Sequence, residues 1–207
     1  MPAQGQVFPS ITVPVPLEAI YRRLGYRRGA TKIDARREEE IERHIDYAVS
    51  LISLKGVGRL VPLREVTPRL VVLGTGDEIA SEKLARFLEG CGEALLMGAT
   101  AGDTVMEAIR GDVAEGDMTR GVVVDAVASE MTDAALDWIV GYFNRLLTRE
   151  NARLSKGRFS AGYGDFLLEN QRVMYDLLEL DRIGVGINEH CILIPEKSVT
   201  AVAGIRR

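Results

Sequence analysis

The sequence predicts an α+β fold of mixed helices and a mainly antiparallel sheet, on three observations. Segments of helical and strand period follow one another without a regular strand–helix–strand alternation, which argues against a doubly wound parallel sheet. The 207 residues are 46% hydrophobic and 27% charged, a globular composition with enough length for a sizeable core. A long helical region without proline, from about Gly121 to Ala152, is followed by a glycine-rich loop and three short terminal strands. One domain over 1–207 is expected: an N-terminal helical segment (1–55) and an α+β body (56–207) carrying a binding loop at 156–165.

Taken in order, residues 1–16 hold four of the seven prolines and read as an extended lead-in. Leu17 to Leu24 forms a short amphipathic helix with Ile20, Tyr21 and Leu24 on one face, and Gly25 stops it. Asp34 is the expected N-cap of a helix reaching about Leu54, whose buried stripe is Ile41, Ile45, Ala48 and Ile52. Gly56 and Gly58 break that helix, and strands follow at Arg59–Val66 and Arg69–Leu73. Ser81 to Leu88 is helical, Glu93 to Ala99 is a strand, and Thr104 with Glu107 has the spacing of a capping box. In the long helix, Met131, Ala135, Trp138, Tyr142, Leu146 and Arg149 mark one face, widened by Ile139, Phe143 and Leu147. Asp165 is placed to cap a helix from Phe166 to Glu179, and the chain ends in strands at 184–188, 192–194 and 199–205.

Charge and cysteine content exclude several classes. A net charge of −4 gives no general attraction to nucleic acid or to an anionic membrane. Two cysteines are too few for a disulfide framework, and the N-terminus MPAQGQVFPS has neither the basic nor the apolar region of a leader. A cytoplasmic protein is the expectation. His190-Cys191 lacks the further ligands that zinc needs, so no metal is expected. Gly74-Thr-Gly76 and Gly98-Ala-Thr-Ala-Gly102 read as tight strand-to-helix turns or, less simply, as phosphate cradles; neither has a dinucleotide or Walker pattern. Arg22-Arg23 and Arg27-Arg28 are a solvated helix end or a docking patch for an acidic partner.

The loop at 156–165 concentrates Arg158, Ser160, Gly162, Tyr163, Gly164 and Asp165 between two helices. Glycine lets backbone approach a ligand closely, and arginine grips a carboxylate through two parallel bonds. Two readings stand for these residues: a binding loop for a small anionic or zwitterionic ligand, or a structural loop with an arginine salt bridge. No catalytic side chain is assigned.

Arg158-Phe-Ser-Ala-Gly-Tyr-Gly-Asp165, with Gln171 downstream, resembles the signature of the activation (reactivation) domain of cobalamin-dependent methionine synthase. Asp125 to Asp133 resembles that family's long helix, and Pro195, Ser198, Thr200 and Gly204 its closing segment. Leu24-Gly-Tyr26 and the helix after it look like the opening of stand-alone members. The resemblance implies a reactivation subunit that binds S-adenosylmethionine and assists reductive remethylation of cobalamin. It implies ligand contacts from Arg158, Ser160, Ala161, Gly162, Tyr163 and Asp133, supported by Gly164, Asp165, Gln171 and Ser198. No D-x-H-x-x-G cobalamin sequence is present, so the corrinoid would arrive on a partner methionine synthase module, with a flavodoxin-type electron donor. Ala161 stands where the family usually has proline, Asp133 where it has glutamate, and Ala203 where full-length enzymes have tyrosine. These departures motivate an alternative: a docking module for the corrinoid protein or its electron donor, with S-adenosylmethionine binding lost. An unrelated enzyme using the loop for another carboxylate is a third reading.

Overall fold

A computed structural model describes residues 5–27, 31 and 33–207. The lead-in is more than a tail: strand β1 (Gln6–Phe8) pairs antiparallel with residues 56–58. Helix α1 (Leu17–Arg23) follows, and α2 (Ala35–Leu51) opens on Asp34, whose carboxylate accepts from Arg37 N at 3.0 Å. Strand β2 (Lys55–Val66) is twelve residues long and begins before the two glycines expected to break the helix. Gly56 and Gly58 are strand positions. A Cβ on Gly56 would lie 2.7 Å from Ile139 Cδ1, and one on Gly58 would lie 2.3 Å from Phe143 Cε2. The glycines are there for close packing, a reason that short-range pattern does not reveal.

Strands β3 (Leu70–Leu73) and β4 (Glu78–Ala80) form a hairpin, and Gly74 to Gly76 is its turn, so no helix follows that motif. Helix α3 (Glu82–Leu88) is capped by Ser81, and β5 (Glu93–Thr100) runs through Gly98. Helix α4 (Asp103–Glu115) has Gly102 as its N-cap at φ +88°, so Thr104 falls inside the first turn and the expected capping box does not form. Helix α5 (Met118–Thr148) has 31 residues, about 46 Å of helix. After β6 (Arg153–Leu154) and the loop comes a 3₁₀ turn at Leu168–Asn170, then α6 (Gln171–Leu178). Strands β7 (Gly186–Ile187) and β8 (Leu193–Ile194) pair only with each other, and β9 (Ser198–Arg206) returns to the main sheet.

The seven-stranded sheet has the order β4-β3-β2-β5-β9-β6, with β1 added beside β2, and every pairing is antiparallel. Its central strands are covered on both faces, and successive side chains serve opposite cores. Leu95, Met97, Ala99, Ala201, Ala203 and Ile205 face α1, α2, α4 and α5. Val57, Val61, Ala94, Leu96 and Val202 face α3, α6 and the segment to Val185.

The long helix is rotated from the expected face. Ile139, Phe143 and Leu147 lie at the centre of its buried side, whereas Leu146 is 40% exposed. The glycine cradle on β2 receives Ile139 and Phe143, which turns Trp138 and Tyr142 onto the flank, edge-on to Phe8 at 5.0 and 4.9 Å. Among the described residues, no helix is long and apolar enough to cross a membrane, and no group of His, Cys, Asp or Glu is arranged around a metal position.

Candidate functional site

The loop after β6 runs along the outer edge of β9. Ser155 N donates to Gly204 O at 2.7 Å, and Phe159 and Val202 exchange backbone bonds at 2.9 and 2.8 Å. Phe159 packs toward the core under α3 and α6, stacking on Phe166 at 6.1 Å and meeting Phe87 at 6.1 Å. Phe166 is fully buried and is the anchor of the loop. Its carbonyl accepts from Gly162 N at 2.7 Å and its N–H donates to Tyr163 O at 3.1 Å, closing 162–166 into a tight loop. Gly162 at φ +89° and Gly164 at φ +64° make that closure possible.

Asp165 does not cap the helix that follows it. Its carboxylate crosses to α3, accepting from Ser81 Oγ at 2.7 Å, Glu82 N at 2.7 Å and Lys83 N at 3.3 Å. The open amides of α3 are the stronger attraction, so α6 starts at Gln171 instead. The Ser81 hydroxyl, followed by the Lys83 and Glu82 amides, holds the Asp165 carboxyl below its ordinary 3.8 against partial desolvation. A depressed folded pKa means that this stabilisation is complete above the unfolded value and is lost as pH falls through the folded one. Melting temperatures measured from about pH 5 to about pH 2 should therefore fall more steeply for wild type than for Asp165→Ala, which should already melt lower at neutral pH. Equal slopes would mean that the contact to α3 does not stabilise the fold.

The residues that sequence pattern selected fall into two neighbouring groups. Ser160, Ala161, Tyr163, Gln171 and Ser198 line one groove of about 210 Å³, with Leu168, Cys191, Ile192, Glu196 and Thr200. Gln171 is buried and donates through Nε2 to Thr200 Oγ1 at 2.9 Å, tying α6 to β9. Ser198 donates to Thr100 Oγ1 at 2.9 Å. Gly162 sits in the loop above, and Gly164 lies over Lys83, where a Cβ would come 2.8 Å from Cδ.

Arg158 turns instead to α5. It donates through Nη2 to Asp133 Oδ1 at 3.2 Å and to the Asp133 carbonyl at 3.3 Å, and through Nη1 to Asp137. Arg158 and Asp133 are thus brought together, and Asp137, one turn further along the same face, joins them. The same side of α5 is seated on the segment before β9. Lys197 pairs with Asp125 at 2.7 Å, and the Thr132 hydroxyl reaches Lys197 O at 3.4 Å.

Pattern reading missed Asp137, Cys191, Ile192 and Glu196. Asp137 was findable at i+4 from Asp133. The others reach the groove only because the β7–β8 hairpin folds over it, its turn held by Asn188 Oδ1 accepting from His190 N and Ile192 N, both at 2.9 Å. The exposed apolar lining of the groove is Tyr163, 70% exposed, with Leu168 and Ile192. Among the arginine pairs, Arg23 meets Glu130 at 2.6 Å, and Arg28 lies outside the described residues.

In kind, the groups suit a zwitterionic ligand with a cationic centre: hydroxyls at Ser160 and Tyr163, a carboxylate at Glu196, and a guanidinium nearby at Arg158. In size the groove falls below the roughly 300–1,000 Å³ of most small-molecule pockets. Arg158 is also already engaged.

No known family's sequence profile matches the chain, and no curated protein does. Solved structures do resemble it. The crystal structure of the MetH reactivation domain bound to AdoHcy superposes with a TM-score of 0.64 at 13% identity, over 97% of this chain and 78% of that one. The chain has the mixed α+β architecture of the methionine synthase activation domain.

Proposed function

We propose that this chain, as one domain over residues 1–207, is a cytoplasmic reactivation module. It binds S-adenosylmethionine at the groove beside β9 and assists reductive remethylation of cobalamin carried by a separate methionine synthase or other corrinoid protein. The observation that carries this reading is convergence. Residues from three segments selected by sequence (Ser160, Ala161 and Tyr163; Gln171; Ser198) line one groove, in a chain whose architecture is that of a domain crystallised with AdoHcy.

S-adenosylmethionine would supply an activated methyl group and leave as S-adenosylhomocysteine, and a flavodoxin-type donor would supply the electron that remethylation of the partner's cobalamin requires. This chain's residues bind and orient. Glu196 offers a carboxylate to the ligand's cationic centre, and the Ser160 and Tyr163 hydroxyls offer polar contacts. Arg158 takes the ligand carboxylate by exchanging Asp133 or Asp137 for it, a replacement of one charge-assisted bond by another. The exposed apolar residues Tyr163, Leu168 and Ile192 on the groove lining supply a surface to close against a partner and exclude water.

Calorimetric titration with S-adenosylmethionine tests this. Wild type should bind saturably and Arg158→Ala should not. The variant should lose less than about 1 kcal/mol of stability, because both ion pairs end on half-exposed or exposed carboxylates. Absence of binding by folded wild type would overturn the ligand assignment.

A second reading is favoured by the engaged Arg158 and the small groove: a docking module for the corrinoid protein or its electron donor, with ligand binding lost. It predicts partner association that survives Arg158→Ala but weakens when Ile192 and Leu168 are made polar.

A further inference from the structure

A larger groove, of about 660 Å³, is lined by Arg86, Phe87, Arg153, Lys156 and Arg206 with Leu154 and Ser155. Four cations line it and no carboxylate does, in a chain with four more acids than bases. Among the described residues outside the groove, eight arginines are in ion pairs and others, Arg64 and Arg110 among them, are not, so what sets the groove apart is four cations on one surface. Arg23, Arg120, Arg158 and Arg207, for example, each meet a carboxylate. Among the described residues, none of the four groove cations does; Arg206 reaches only the Glu89 carbonyl, at 3.5 Å.

Strand register sharpens the point. Arg153 and Arg206 are direct partners across the antiparallel pair of β6 and β9. Like charges placed directly opposite destabilise a sheet. Nothing in the packing asks for either one, since both side chains are exposed. Gly157, at φ +83°, turns the chain between Lys156 and Arg158, so that Lys156 faces this groove while Arg158 serves α5.

We infer that this groove binds the di- or triphosphate group of a small molecule. Guanidinium groups take phosphate oxygens through paired bonds, and an ammonium adds a point charge. The volume is that of a small-molecule pocket. The net negative charge of the chain disfavours a long polyanion such as nucleic acid. Phe87 in the wall offers a ring to a base if the phosphates belong to a nucleotide.

The test is calorimetric titration of the full chain in low salt, with inorganic triphosphate in one arm and ATP in the other. Saturable binding at one site per chain is expected, weakening as salt rises. The double variant Arg153→Gln/Arg206→Gln should bind roughly tenfold more weakly or worse, from the loss of two charged donors. It should also melt higher than wild type without ligand, because the opposed charges are gone. Lys156→Gln, on the adjoining loop, should weaken binding independently of any effect on the strands. Tighter binding of ATP than of inorganic triphosphate would identify a nucleotide, and equal binding would identify the phosphates alone as the determinant. The proposal is overturned if neither arm saturates, if the double variant and Lys156→Gln both bind as wild type does, or if sulfate at matched ionic strength competes fully.

Discussion

Phe166→Ala should destabilise the protein by about 3–5 kcal/mol, the usual cost of emptying a fully buried phenylalanine site. The ring does two jobs. It fills the core beneath α3 and α6, and it stacks on Phe159, whose backbone holds the loop to β9. Its loss should therefore loosen residues 160–164 and remove S-adenosylmethionine binding together with stability. Denaturant unfolding and calorimetry on the same sample measure both. Phe166→Leu, which keeps most of the volume, should retain binding with a smaller loss. A cost below about 1 kcal/mol for the alanine variant would mean that the site had collapsed around the gap, and that the ring is not the loop's anchor.

Gly58→Ala should be the most damaging single methyl in the chain, at about 1–3 kcal/mol. The new Cβ would stand 2.3 Å from Phe143 Cε2 and 3.3 Å from Ile139 Cγ2, inside the contact of α5 with β2. The helix or the ring must move, and the ring is boxed in by Tyr142 at 5.3 Å. Phe143→Leu removes the clashing atom. In the double variant the two changes should couple favourably by about 0.5–3 kcal/mol, the range for residues in direct contact. Additive losses in thermal unfolding would show that the strand accommodates the methyl by sliding instead.

Much of the architecture was legible in the residues. Asp34 and Ser81 announce the helices that they cap, because a side-chain oxygen three residues before an open amide is a local geometry. The strands at Arg59–Val66 and Glu93–Ala99 were legible as β-branched and Leu-rich runs, although β2 begins earlier, at Lys55. The candidate site was legible in part. Ser160, Ala161, Tyr163, Gln171 and Ser198 do meet, and Arg158 does find Asp133. What was not legible lies where a partner distant in sequence outbids a near one. Asp165 leaves the helix beside it for the amides of α3, some 83 residues away in sequence. Glu196 and Cys191 reach the groove through a hairpin whose position no local pattern records.

By itself, then, the sequence determined most of the helices, the longer strands and the glycine-rich loop with its arginine and tyrosine, all of which depend on interactions within a few residues. Only the tertiary structure decided that Gly56 and Gly58 cradle a helix, that α5 turns Ile139 and Phe143 inward, that two carboxylates hold Arg158, and that four unpaired cations share a groove. Each of these depends on shape or charge meeting across long chain separations, where the free energy is set by the neighbour that arrives and not by the residues alongside.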